Sequence, residues 1–287
     1  MENEKNKIEA QTLYLVGVPI GNLADISDRA KKVLSEVDFI AAEDTRNSIK
    51  LLSLMGISKE LISYHEHNRA KAGEKIIERL LSGASCALIT DAGMPAISDP
   101  GEDLVRLAYE NGIKVTAVPG ACALICALAL SGLGTARFAF EGFLPAVKGE
   151  RKKRLSDVAD STATLIFYEA PHKLTVTLAD MCEVLGRDRK IALCRELTKL
   201  NEEIIRTTIK EACEYYKEKE PRGEYVLVVE GAKGSIPTDN PLLLLSVKEH
   251  TEHYESLGLS RMDAMKAAAK DRGIKKNELY KMLVEGK

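Results

Sequence analysis

Apolar runs of strand length alternate with amphipathic helical stretches through most of this chain, and that alternation constrains the fold more than any other feature. Residues 13–18, 38–43, 61–64, 84–90 and 114–118 read as strands. Between them the spacing predicts helices over 28–35, 47–54, 70–81 and 102–110. Gly112 ends the last of these helices, and Pro119-Gly120 ends the last strand. Strands alternating with helices imply an α/β fold. The next run, ACALICALALSG from Ala121, is apolar nearly all round, which predicts a helix packed between layers rather than on the surface.

After an aromatic- and glycine-containing segment, 135–145, a second series begins. It predicts strands over 162–169, 190–197, 204–208 and 224–230, with helices over 173–185 and 209–217. A boundary near Gly134 gives α/β domains over 1–134 and 135–231. GAKGSIPTDNP, from Gly231, is a linker by composition. Three short helical stretches follow, a separate helical module over 240–287.

Composition narrows the class. The 287 residues carry 41 Lys+Arg against 43 Asp+Glu, a balance that excludes disordered, collagen-like and coiled-coil chains, each of which needs a strong bias. The longest apolar stretch, 121–133, falls short of the roughly 20 residues a membrane span needs, so none is expected. The N-terminal MENEKNK has mixed charge and no apolar core, so no secretory signal is expected and the cytoplasm is the default. The six cysteines are scattered and lack His partners, which predicts reduced thiols, no disulfide framework and no metal site.

Three loops stand out. VGVPIGNLAD puts Gly17, Pro19 and Gly21 outside the carboxyl end of the first strand, where open α/β sheets hold ligands. It lacks the spacing of a dinucleotide fingerprint and the Lys of a phosphate loop. TDAGMPAISDPG packs Thr90, Asp91, Ser98 and Asp99 among glycines and prolines, more than a turn requires; Ser98-Asp99 also suits a cap on the following helix. VPGACALICA follows a strand end with small side chains, which either admit a flat group close to the backbone or serve tight helix packing.

The ordered set VGVPIGNLADIS, AAEDTRNS, YHEHN, TDAGMPAISDPG, VPGACALICALALSG, FYEAPHKL, CRELTKLNEE and GEYVLVVEG resembles the tetrapyrrole methylase superfamily. Within it, the set resembles the branch that modifies small-subunit ribosomal RNA, from about residue 12 to the C-terminus. The resemblance implies two α/β domains with an S-adenosylmethionine cleft between them, and 2′-O-methylation of a cytidine in the decoding region of 16S rRNA by a homodimer. By motif position it assigns cofactor contacts to Gly17, Ile20, Gly21, Thr90, Asp91, Met94, Cys122, Ala123, Tyr168 and Glu169. Two motifs depart from the pattern: Thr-Asp-Ala stands for the Gly-Asp-Pro of the tetrapyrrole branch, and Cys122 for a small hydroxyl residue.

Methyl transfer by in-line displacement mainly needs alignment, worth about 7–11 kcal/mol. A base for a weakly acidic ribose hydroxyl adds roughly 10²–10⁴-fold. Candidates for such roles are His65, Asp99, Glu196 and Lys199, with Glu43, Asp44, His67 and Arg195 nearby in the same motifs. Arg46 and Lys50 fall one helical turn apart and project from one face, suited to phosphate. Arg151, Lys152, Lys153 and Arg154 open a predicted helix, where cations oppose the macrodipole; an anionic partner explains that run better than solubility does. With Arg195 these residues are the expected RNA contacts.

In residues 260–287, eight Lys/Arg face four acidic residues, a net of +4, on two helices that break at Gly273 with Ser260 as the expected cap. The spacing resembles a helix-turn-helix and suits phosphate contacts or a dimer contact. Two other readings remain open: a methyltransferase acting on a corrin or porphyrin precursor, and a non-catalytic ribosome-binding factor. The basic tail and the EDTR, YHEHN and RELTK motifs count against the first; the second would not bind S-adenosylmethionine.

Overall fold

In the computed structural model, which describes residues 6–233 and 241–285, the first sheet consists of β1 (Thr12–Val16), β2 (Phe39–Ala42), β3 (Leu61–Ser63), β4 (Cys86–Ile89) and β5 (Lys114–Val118). All pairs are parallel, in the order β3-β2-β4-β1-β5. Every residue of β2 and β4 is buried, because both faces of the sheet are covered and no side needs a polar surface. Ile40, Ala42, Ala87 and Ile89 pack with α1 (Asp28–Glu36) and α2 (Thr45–Leu54). Phe39, Ala41, Cys86 and Leu88 pack on the other face with α3 (Arg69–Leu81) and α4 (Glu102–Glu110). Ser27 and Asp44 cap α1 and α2 by accepting backbone N–H groups of Ala30 and Arg46. The helices after β1 and β4 thus leave toward opposite faces, opening a crevice at the carboxyl ends of these adjacent strands.

From β5 the chain enters α5 (Ala123–Ser131), then β6 (Phe138–Phe143), α6 (Lys148–Asp157), β7 (Thr164–Glu169), α7 (Pro171–Val184), β8 (Lys190–Arg195), β9 (Glu203–Thr208), α8 (Ile209–Glu218) and β10 (Tyr225–Val229). The second sheet has the order β6-β7-β10-β8-β9, and only its β6–β7 pair is parallel. One face, with Leu165, Phe167, Leu193 and Leu227, is covered by α6, α7 and α8. The other, with Ile166, Ala192, Cys194, Val226 and Val228, receives Leu124, Ala127 and Leu128 of α5. Both sheets belong to one compact unit, Met1–Ala159 with Ala163–Glu230.

Most elements form where the periodicity puts them, with ends shifted by about one or two residues. Two features differ. Residues 138–143, which carry no clean alternation, form β6; a register shift between Phe140 and Gly142, the latter at φ +65°, interrupts the period of two. Helix α5 is not enclosed by layers on all sides: Ile125 and Leu130 remain 47% and 37% exposed, leaving an uncovered apolar face.

The second unit comprises Asp160–Thr162 and Gly231–Lys287. It contains α9 (Val247–Ser256), α10 (Arg261–Asp271) and α11 (Lys276–Glu285), around Met265, Ala268, Ala269 and Leu279. Ser260 caps α10, and Gly273 at φ +64° turns the chain toward α11. Of the expected linker, residues 234–240 lie outside the described residues, as do Gly286, Lys287 and the first five residues. His250 is fully buried; Arg272 Nε donates to its Nδ1 at 3.0 Å, and its Nε2 lies 3.3 Å from Asp271 Oδ2.

Accepting from a guanidinium requires His250 to be neutral at Nδ1. Burial, together with Arg272, pulls its pKa below the ordinary 6.5 against the opposing pull of Asp271. The unfolded chain therefore binds the proton more tightly, so this residue's contribution is complete above about pH 6.5 and declines as pH falls from there toward the lower folded value. NMR titration of the His250 ring should give a pKa below 6.5, with melting of the helical unit falling on acidification. A pKa above 6.5 would contradict this geometry.

Candidate active site

The three loops singled out in the sequence meet at the carboxyl ends of β1, β4 and β5. Gly17 N–H donates to the Val118 carbonyl at 3.0 Å. Val18 and Gly93 exchange both backbone hydrogen bonds, at 2.9 and 3.1 Å, joining the first loop to the second. Gly17 and Gly120 cross with no side chain between them: a Cβ on Gly17 would lie 2.6 Å from Gly120 Cα and 2.6 Å from Met94 Sδ. Glycine at both positions is what lets the loops approach this closely.

These loops form one side of a cavity of about 440 Å³. The opposite side comes from the second sheet: Tyr168 to His172 across the end of β7, Cys194, Glu196, Leu197 and Lys199 across the end of β8, and Glu224 to Val226 at the start of β10. Cys122, the N-cap of α5, and Ala123 make a half-buried shelf of small side chains. Tyr168 packs edge-on against Phe140 and Phe143, with centroids at 4.9 and 5.6 Å, and burial pushes its hydroxyl up to about 12. It is therefore neutral.

Both rims hold unusual backbone. Ala96 and Ser98 in the loop after β4, and Glu196 and Thr198 in the loop after β8, have φ between +51° and +67°. Non-glycine residues in the left-handed region cost about 1–3 kcal/mol each and persist where surrounding structure fixes them, as at ligand sites. In the β8 loop, Lys199 Nζ bonds Glu196 Oε1 at 2.9 Å and Glu224 Oε2 at 3.0 Å, while Glu196 Oε1 also accepts the Glu224 N–H. A Cβ on Gly21 would collide with the Lys199 stem. The first loop and the second sheet are thereby in contact across the cavity.

Carboxylates gather on the first-sheet side. Thr90 Oγ1 donates to Glu43 Oε2 at 2.7 Å, and Asn47 Nδ2 donates to Asp91 Oδ2 at 2.8 Å. Burial, with the charges of Glu43 and Asp91 adding, pushes Asp99 up to about 6, against a lowering hydrogen bond from Thr90. Among the described residues no group of three or more His, Cys, Asp or Glu is arranged to hold a metal ion.

Of the residues expected from the sequence, Ile20, Met94, Asp99, Cys122, Ala123, Tyr168, Glu169, Glu196 and Lys199 line the cavity. Gly17, Gly21, Thr90 and Asp91 lie in the supporting loops rather than in its wall; Thr90 is 2% exposed. Glu169 is buried and bound to Thr177 Oγ1 and to the Ala170 N–H, so its carboxylate shapes the turn into α7. His65 sits past the end of β3, the strand at the far edge of the sheet, and is not in the wall.

Arg151 corrects the sequence expectation of an RNA contact. It is buried, paired with Asp180 at 2.7 Å and bound to the carbonyls of Pro145 and Ala146, so it anchors α6 to α7. A buried pair of this kind is costly to break from either side. Lys152 bonds Glu183, Arg154 bonds Glu141 and Arg195 pairs with Glu203. Arg46 is exposed but chelates Asp44, which it holds down at about 2; Lys50 and Lys153 are exposed.

The sequence reading missed Phe143, Ala170, Pro171, His172 and Glu224 as cavity residues. His172 had a signal in FYEAPHKL, directly after Tyr168-Glu169. Glu224 stands in GEYVLVVEG, but only strand pairing brings it to Lys199; Phe143 had no signal, since topology alone brings it there.

The family described as Tetrapyrrole (Corrin/Porphyrin) Methylases matches residues 12–213. The chain belongs to the tetrapyrrole methylase family. A protein of Halalkalibacterium halodurans named ribosomal RNA small subunit methyltransferase I is 48% identical over 94% of this chain and 93% of its own length. One of the same name from Bacillus subtilis (strain 168) is 48% identical over 96% and 94%. Among solved structures, a diphthine synthase aligns with TM-score 0.58 at 15% identity over 77% of this chain and 89% of its own. A cobalt precorrin-4 methyltransferase gives 0.57 at 17% over 80% and 97%. Those two likenesses speak for the fold, and the family is one of methyltransferases.

The backbone crossing is the part of this site most sensitive to a single atom. Gly17→Ala must separate two loops fixed by hydrogen bonds, and overpacking of this kind costs about 1–3 kcal/mol. A fall of that size in urea-unfolding stability is expected. Unchanged stability would show that the crossing tolerates a side chain.

Proposed function

We propose that this protein transfers a methyl group from S-adenosylmethionine to the ribose 2′-hydroxyl of a cytidine in the decoding region of 16S rRNA. Near-full-length identity to relatives named for small-subunit rRNA supports the substrate. The observation that carries the chemistry is Asp99, a carboxyl in the cavity wall pushed up to about 6, suited to taking a proton near neutrality.

The residues present fit the cofactor. Cys122-Ala123 offers a low shelf for a flat purine, Ile20, Met94 and Tyr168 supply apolar and aromatic wall, and the volume lies in the range of small-ligand sites. When bound, S-adenosylmethionine supplies an electrophilic methyl on a sulfonium. In this reading the chain's own residues align and deprotonate. Asp99 takes the hydroxyl proton, and the Glu196–Lys199–Glu224 bridge holds the second-sheet rim at a fixed distance from Gly21. RNA phosphates engage the exposed Arg46, Lys50 and Lys153, and in the helical unit Arg261, Lys266, Lys270, Lys275 and Lys281. Arg272 is committed to His250 and the Leu245 carbonyl instead.

The same reading includes a homodimer and a cytoplasmic site of action. The exposed Ile125 and Leu130 lie on the helix whose first residues form the cavity shelf, and a second copy of the chain is the partner best suited to cover them. Ile125→Asp should then give a monomer by light scattering at concentrations where the parent chain is dimeric. A parent chain already monomeric would refute this assembly.

Small subunits incubated with the protein and labelled cofactor should yield 2′-O-methylcytidine on nuclease digestion. Asp99→Asn should slow single-turnover transfer by roughly 10²–10⁴-fold. Calorimetric binding of S-adenosylmethionine should persist with a chelator present. Label on another nucleoside or atom would overturn the substrate assignment.

A further inference from the structure

Phe143 reaches the cavity through an irregularity in its strand. Side chains alternate between the faces of a regular strand, so residues three apart belong on opposite faces. In β6 the register against β7 shifts: Phe140 pairs with Ile166, Gly142 with Phe167 and Phe143 with Tyr168. The extra residue, Glu141, brings Phe140 and Phe143 to one face, and both rings pack edge-on against Tyr168. Bulges beside sites re-aim a side chain in this way. The two rings then differ, for Phe140 is half-buried while Phe143 lines the cavity and stays 56% exposed.

The ring is held in that place. Leu144, the next residue, is buried in the core of the second sheet. Arg151, itself buried against Asp180, donates from its guanidinium to the carbonyls of Pro145 and Ala146 and from its backbone N–H to that of Val147. A buried charged group thus fixes the turn after β6, and the exposed ring beside it is preorganised for a ligand.

The surroundings of the ring have two characters. Toward the cavity, a Cβ on Gly142 would lie 3.6 Å from Ser98 Oγ. The end of β6 therefore abuts the loop that places Ile97, 45% exposed, and Asp99 in the wall. Beyond the turn the chain continues into the exposed Lys148 and Lys153 of α6. The Cys122-Ala123 shelf belongs instead to the start of α5, which packs on β7, β8 and β10, whereas Phe143 stands on the edge strand β6.

An aromatic face at a cavity mouth, flanked by cations, suits an unstacked base of single-stranded nucleic acid. Resting on the reading of an RNA ribose as the acceptor, we infer that Phe143 is the stacking platform for the base of the nucleotide being methylated, with Ile97 bordering it. A nucleoside carries its base and its 2′-hydroxyl on adjacent ribose carbons. Holding the base on Phe143 therefore brings the hydroxyl to the loop of Asp99, while Lys148 and Lys153 meet neighbouring phosphates. The ring moves no proton. It selects a nucleotide that has left its stack and fixes the orientation of the ribose.

The test is methylation of intact small ribosomal subunits by the full chain at saturating cofactor. Phe143→Ala should lower the ratio of single-turnover rate to half-saturating subunit concentration by roughly 5- to 150-fold, the equivalent of one base–aromatic stack. Phe143→Tyr should keep most of the parent value. Phe143→Leu should not, because it packs against Tyr168 but offers no π face. Calorimetric affinity for S-adenosylhomocysteine should stay at the parent value throughout. Equal rescue by Leu and Tyr would mark a packing role and overturn the inference. So would parent-like kinetics in Phe143→Ala, a cofactor affinity that falls as far as the rate, or a halved mass by light scattering. Circular dichroism and melting check that each variant folds. Failure of the parent chain to methylate subunits refutes the acceptor reading itself, and shows before any variant is compared.

A second readout needs no turnover. The chain contains no tryptophan, so Phe143→Trp places a single indole at the cavity mouth. A short single-stranded oligocytidylate should quench its emission, and an abasic oligonucleotide of the same length should not. Equal emission with the two would overturn the stacking role.

Discussion

Everything in the proposed site depends on two glycines crossing without side chains. Gly17 and Gly120 bring the loops after β1 and β5 into backbone contact, and the Val18–Gly93 bridge ties in the loop after β4. Parallel strands whose helices leave on opposite faces open a crevice, but a crevice only becomes a site when its lips are fixed. Here backbone hydrogen bonds fix them. The backbone strain at Ala96 and Ser98 is then carried by a loop anchored on both sides.

The second sheet closes the site by charge and shape together. Lys199 lies on Gly21, where no Cβ stands in its way, and two carboxylates hold its ammonium. Gly223, at φ +75°, is similarly required: a Cβ there would fall 2.5 Å from Glu196 Cγ. Glu196 and Glu224 outnumber the lysine they bridge, so carboxylates stand on both sides of the cavity. A sulfonium and an acceptor hydroxyl need such an arrangement if the site stabilises positive charge and removes a proton.

Much of the architecture was legible because burial dictates period. Strands β2 and β4 read as unbroken apolar runs since both their faces are covered, and α10 announced its start through Ser260. Strand β6 was hidden by its bulge at Gly142, and the open face of α5 could not be told from a buried one, because apolar composition is the same for a core and for an unfilled interface. At the site, loops contiguous in sequence were readable, including Asp99, Cys122 and Lys199. Residues brought together only by pairing were not: Glu224 reaches Lys199 through the β8–β10 register, and the burial of Arg151 follows from Asp180 on a different helix. A basic run in sequence does not reveal which of its members point inward.

The most direct measurement is a crystal structure of the protein with S-adenosylhomocysteine. The account predicts the purine on the Cys122-Ala123 shelf, with the sulfur in the cavity between the two sheets and facing the Asp99 side. Binding at any other place on the chain, or a cavity left empty at saturating ligand, would contradict it.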